Sequence, residues 1–210
     1  MIRKINSRRS PLLIIRRASI FFILTFVSCF VPSLRAQERV VTLDPAQTNV
    51  HFTLGTTLHT VHGIFELKSG QIRFDPSSGK ASGAIIVDAA SGNSKDDGRD
   101  KKMHHLVLES QKFPEIVFTP TEVKGTLAPQ GTSLMDVSGT FRLHGEDHGL
   151  TLSITVEPAG ASQLVATTKF SVPFIKWGLK NPSNFFLKVD DRVEIEIHAT
   201  GQLTSESAQH

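Results

Sequence analysis

The chain offers almost no sulfur chemistry. One of its 210 residues is cysteine, Cys29, and it sits in an apolar N-terminal run. Beyond that run no disulfide, thiol nucleophile or thiolate zinc site can form, so a fold there must rest on core burial. Tyrosine is absent and tryptophan occurs once, at Trp177, while phenylalanine occurs 14 times. Such an interior has few polar handles. The common catalytic signatures are also missing: no G-x-S-x-G elbow, H-E-x-x-H pair, G-x-G-x-x-G turn or P-loop is found. The sequence is therefore read as a non-enzyme, with no catalytic residue, metal set or cofactor assigned.

Excess positive charge is lacking too, once the ends are separated. The formal net charge of +3 hides a split. Residues 1–36 hold seven basic residues and no acidic one, leaving 16 Lys and Arg against 20 Asp and Glu, a net −4. A mildly acidic domain lacks the clustered cations that phosphate contacts need, so nucleic acid is not an expected partner.

Residues 1–36 read as a signal peptide. A basic stretch through Arg17 precedes the apolar run Ala18 to Val31, which is short of the roughly 20 apolar residues of a membrane span. The small residue Ala36 sets cleavage before Gln37 and places the mature protein in the periplasm or outside the cell. An uncleaved anchor is the alternative. Cys29 fits a lipoprotein box poorly, and Pro11 spoils a twin-arginine match at Arg8-Arg9.

What is present is short alternation. Val50 to Leu54, Gln71 to Phe74, Val137 to Leu143, Leu150 to Val156 and Val193 to His198 alternate apolar and polar residues. Period two means one buried and one wet face, as in an antiparallel sheet. Weaker runs lie at His62 to Leu67, Ala84 to Asp88, Ile116 to Thr119 and Val165 to Phe170. Turn residues separate them at Asp75 to Gly79, Ala128 to Gly131 and His144 to Gly149. About eight strands without a βαβ rhythm argue for a barrel or a sandwich. Ser91 to Glu109 breaks the pattern. There Met103, Leu106 and Val107 have the i, i+3, i+4 spacing of a short helix, with Asp96 or Asp97 as cap. Residues 37–203 form the expected domain, and 204–210 a polar tail.

Several motifs, taken in order, resemble the YceI family of exported lipid-binding proteins. Leu43-Asp44-Pro45 through Phe52 looks like the family's first strand, and Val61-His62-Gly63-Ile64-Phe65 like its valine-x-glycine-x-phenylalanine strand. Arg99-Asp100 looks like its arginine-aspartate pair, Pro114 to Phe118 like its proline-x-isoleucine-x-phenylalanine strand, and Gly139 to Gly145 like its hairpin. The stretch Phe174 to Ser183 departs from the family's arginine-aspartate-phenylalanine-glycine run. The resemblance implies an all-β fold: an eight-stranded antiparallel lipocalin-like barrel with a short helical insert. It also implies a hydrophobic tunnel for a polyisoprenoid or other long-chain lipid, in the periplasm, often in a homodimer. A peripheral membrane encounter follows from such a ligand.

Candidate ligand-binding residues are the strand phenylalanines Phe52, Phe65, Phe74, Phe118, Phe141 and Phe170, together with Trp177, Arg99 and Asp100. A packed core is the competing reading for each Phe. At the mouth, Arg99, Asp100, His104, His105 and Trp177 are candidates for a polar collar. His144 and His148, flanking Glu146 and Asp147, are a weak candidate for a divalent ion. The leading function is an exported carrier or sequestering protein for an isoprenoid, isoprenoid quinone or fatty-acid derivative. The alternatives are a stress-related interaction module with a filled barrel and a metal-assisted exported enzyme.

Overall fold

Alternating strands with one apolar face must bury that face, and here they do so by closing on themselves. The computed structural model describes residues 37–206. The leader, its cleavage point and Cys29 lie outside the described residues, as do residues 207–210. The strands are β1 (Glu38–Leu43), β2 (Asn49–Gly55), β3 (Thr60–Phe74), β4 (Ala81–Asn93), β5 (Glu115–Lys124), β6 (Ser133–Leu143), β7 (Glu146–Pro158), β8 (Gln163–Val172) and β9 (Val193–Glu206). All pairings are antiparallel, and β3 with β4 closes the ring.

β1 and β2 are two halves of one strand position. β1 lies between the distal halves of β3 and β9, with Val41 opposite Ile72 and Leu203. β2 lies between their proximal halves, with Phe52 opposite Gly63 and Ile195. The break is a 3-10 turn, Pro45–Gln47, capped by Asp44, whose carboxylate accepts the Ala46 N–H at 2.9 Å. Counted this way, the nine segments make the eight-stranded barrel expected from the sequence. β9 also takes in residues 204–206 of the stretch read as a tail: Thr204 and Ser205 pair with Val40 and Arg39.

The two ends of the barrel differ. Around β1, Phe74, Phe118, Val123, Met135, Val137, Leu152, Val156 and Leu164 pack into a solid core. A second cluster, Leu143, Val172, Phe174 and Leu179, lies toward the other end. The connections 56–59, 94–114, 144–145 and 173–192 all gather at that second end. All nine strands, their ladders and both clusters lie within residues 38–206, so the barrel is a self-contained unit.

The insert holds helix α1 (Asp97–Lys102). Asp96 is its cap, accepting the Arg99 N–H at 2.8 Å. A π-turn, Met103–Val107, follows and is closed by Leu108 N–H to Met103 C=O at 2.8 Å. The wider turn displaces the expected stripe by one residue. Leu106 faces out, while Met103, Val107 and Leu108 face the barrel interior.

Candidate functional site: the hollow half of the barrel

The end opposite the solid core holds a cavity of about 530 Å³. Its walls follow from strand periodicity. Val50, Phe52 and Leu54 of β2 point inward at alternate positions, as do Val193, Ile195 and Ile197 of β9. Glu194, Glu196 and His198 between and beside them do not line it. Every strand residue lining the cavity is apolar, including Val61, Phe65, Val87, Ile116, Leu143 and Val172. Phe141 and Phe170, whose rings meet edge to face at 6.2 Å, line the cavity and also touch the solid core, so they form its floor.

Gly63 explains how Phe52 fits this wall. A Cβ at residue 63 would lie 2.3 Å from the Phe52 ring and 2.6 Å from the Asn93 carbonyl oxygen. Only glycine lets that ring lie across the neighbouring strand.

The polar groups at the cavity all come from connections: Thr56, His59, Ser94, Asp96, Arg99, Lys102 and Asn184. Buried Ser94 organises part of this collar. Arg99 donates Nε to the Ser94 hydroxyl (2.7 Å) and Nη2 to its carbonyl (2.8 Å), while Asp100 accepts the Ser94 N–H (3.0 Å) and hydroxyl. Arg99 and Asp100 thus clamp Ser94 from two sides, and only Arg99 reaches the cavity. The Arg99 backbone N–H, and then its charge, hold the Asp96 carboxyl below the usual carboxylate range.

β7 contributes nothing to the lining. Its ladder with β8 runs only from Ile154↔Thr168 to Pro158↔Leu164, and the two strands separate beyond it. The turn 173–179 fills that seam: Trp177 stacks flat on His148 at 4.1 Å, with Phe141 at 5.7 Å from Trp177. The stack leaves His148 Nε2 buried without a hydrogen-bond partner.

The residues proposed from sequence therefore separate. Phe52, Phe65, Phe141, Phe170 and Arg99 stand at the cavity. Phe74 and Phe118 belong to the solid core, Trp177 lies behind the cavity wall, and Asp100 acts on Ser94. His104 bonds the Gly92 carbonyl (2.9 Å) and Ser110, and His105 is exposed. His144 pairs with Glu109 at 2.6 Å while His148 turns to Trp177, so these two do not converge on an ion. The sequence reading missed Phe174, Leu179, Leu187 and Val189, which reach the cavity from the long β8–β9 connection. That segment has no period to betray its inward face. The aliphatic wall of β9 was visible as Val193-x-Ile195-x-Ile197, a signal overlooked beside the aromatics.

These features define a lipocalin-like barrel with one solid end and one hollow, apolar end. Residues 41–201 match the YceI-like domain, and the chain belongs to that family. No curated protein matches the sequence. Two solved structures share the fold. One is Burkholderia cenocepacia BcnA, at 16% identity and a TM-score of 0.61, over 75% of this chain and 98% of that one. The other is a polyisoprenoid binding domain from Saccharophagus degradans implicated in plant cell wall breakdown, at 16% identity and a TM-score of 0.58, over 78% and 98%.

Proposed function

We propose that the protein is an exported, non-catalytic carrier or sequestering protein that holds the hydrocarbon chain of a polyisoprenoid, isoprenoid quinone or related long-chain lipid. The observation that carries this reading is the cavity of about 530 Å³ whose strand walls are wholly apolar. That volume lies within the roughly 300–1,000 Å³ of small-molecule sites. The description of the Saccharophagus degradans domain as polyisoprenoid binding supports the same class of ligand.

The energetics suit a featureless chain. Burial contributes about 0.8 kcal/mol per methylene, so a five-carbon isoprene unit contributes roughly 4 kcal/mol gross. Association costs are on the order of 4–15 kcal/mol, so two to four buried units suffice. Specificity for length then comes from cavity depth, down to Phe141 and Phe170. The head group remains among Arg99, Lys102, His59 and Asn184. Phe52, Phe65, Phe141 and Phe170 are the proposed chain contacts, and Arg99 the proposed head-group contact.

The test is calorimetric titration with isoprenoid alcohols of increasing length. Affinity is expected to rise with each unit and level off once the cavity is full. Ile195→Trp, which fills the cavity from β9, is expected to lower affinity by about a hundredfold while retaining the β circular-dichroism spectrum. Length-independent affinity, or a folded Ile195→Trp that binds as before, contradicts the proposal.

A further inference from the structure

The mouth of the cavity carries a feature that chain binding does not use. Phe185 is 93% exposed and Phe186 86% exposed, and their rings meet edge to face at 5.2 Å. Leu58, on the β2–β3 turn, is 75% exposed. None of the three lines the cavity. Two large aromatic side chains held almost wholly in water are costly unless something covers them.

The backbone holds them there. The Asn184 side chain accepts the N–H groups of Phe186 (2.9 Å) and Leu187 (2.8 Å), and Asn184 N–H donates to the Leu187 carbonyl at 2.9 Å. Ser183 Oγ accepts the Val189 N–H at 2.8 Å. The tip is then joined to the β2–β3 turn. Thr56 bridges to Val189, and Thr57 N–H donates to the Lys188 carbonyl at 3.0 Å. Phe185, Phe186 and Leu58 thus project from two loops fastened together, beside the cavity residues Thr56, Asn184, Leu187 and Val189.

Charge supplies the second argument. The four connections at this end carry nine Lys and Arg against six Asp and Glu, a net +3, while the rest of residues 37–210 carries seven against fourteen, a net −7. The connections around the mouth are thus net basic in an acidic domain. Lys188, two residues from Phe186, and Lys101 and Lys102 of α1 are exposed, and none joins an ion pair among the described residues.

We infer that the Phe185–Phe186–Leu58 tip, with Lys188 beside it and Lys102 at the cavity mouth, is a docking surface for an anionic phospholipid bilayer. The aromatics enter the interfacial layer and the lysines face the head groups. Docking this way turns the mouth toward the membrane, so a lipid chain can pass between bilayer and cavity without crossing water. The transfer role rests on the proposed lipid function, but the docking itself does not.

The experiment is co-sedimentation of residues 37–210 with vesicles of phosphatidylglycerol and phosphatidylcholine, against vesicles of phosphatidylcholine alone. Binding is expected to the anionic vesicles and to weaken with added salt. The double variant Phe185→Ser/Phe186→Ser is expected to lower it at least about tenfold, and Lys188→Glu to lower it less. Both sites are exposed, so thermal unfolding stays as in the wild type. No wild-type binding, or equal binding by the folded double variant, overturns the inference. So does a dimer in analytical ultracentrifugation that the double variant abolishes without any vesicle binding, since a second copy then covers the tip. Farnesol uptake in vesicle-free buffer separates the two readings. The double variant is expected to retain it, and its loss together with vesicle binding overturns a docking role. A wild type that docks but takes up no farnesol leaves docking standing and sinks the lipid proposal.

Discussion

The strand phenylalanines divide into two populations by what lies beneath each ring. Phe118 is buried among Val123, Met135, Val137 and Leu152, whereas Phe65 touches Phe52 at 5.3 Å on one side and faces the cavity on the other. Truncating a packed ring leaves a void that its neighbours cannot close. Phe118→Ala is therefore expected to destabilise the barrel by about 3–5 kcal/mol and leave ligand affinity unchanged. Phe65→Ala is expected to cost about 1–2 kcal/mol, because one face already lacks contacts, and to change affinity. Urea unfolding with parallel titrations checks both, and equal costs for the two variants contradict the division. His148 is a residue of another kind. Its ring contributes stacking on Trp177, but its Nε2 is buried and unpartnered. His148→Phe keeps a ring and removes the orphaned nitrogen, so stability is expected to rise by about 1 kcal/mol in urea unfolding. A loss of similar size means that Nε2 makes a bond that Phe cannot replace.

At the scale of elements, bulges decide what was legible in the sequence. β3 reads as two runs, yet it is one strand of 15 residues. Val61, Phe65 and Leu67 face inward at odd positions; after the register shift between Leu67 and Ser69, Gly70, Ile72 and Phe74 do so at even ones. A single extra residue reverses the parity and breaks any period-two reading. β5 does the same between Pro120 and Glu122, and there the fully buried proline also reads as a strand end. Strands without bulges across their alternating runs, such as β6 and β7, were readable over most of their length, and β9 was readable over Val193 to His198. The π-turn is the helical counterpart: it exchanges Leu106 for Leu108 at the cavity, which spacing alone does not reveal. Turns behave more locally. In the β3–β4 turn the Ser77 and Ser78 hydroxyls and the Ser77 N–H bond Asp75 and lower its carboxyl to about 2. Its contribution is present above the unfolded value of about 3.9 and is lost as pH falls through about 2. The wild type is expected to melt above Asp75→Asn at neutral pH, with the gap narrowing between about pH 4 and 2. A gap that widens on acidification contradicts this origin.

Across the whole molecule, one architecture serves two ends differently. The solid half around β1 supplies the core that holds the barrel, which lets the other half stay open without collapse. Its four connections carry the polar collar and the exposed aromatics, and are themselves net basic. Hollowness is the central claim, and it is what separates a lipid carrier from an interaction module with a filled barrel. Native mass spectrometry of residues 37–210 expressed in bacteria, before and after organic extraction, tests it most directly. The account predicts a copurifying adduct with the mass of a long-chain lipid, removed by extraction, restored by an added isoprenoid quinone and absent from Ile195→Trp. Repeated preparations that show only the bare polypeptide, and take up no quinone, contradict it.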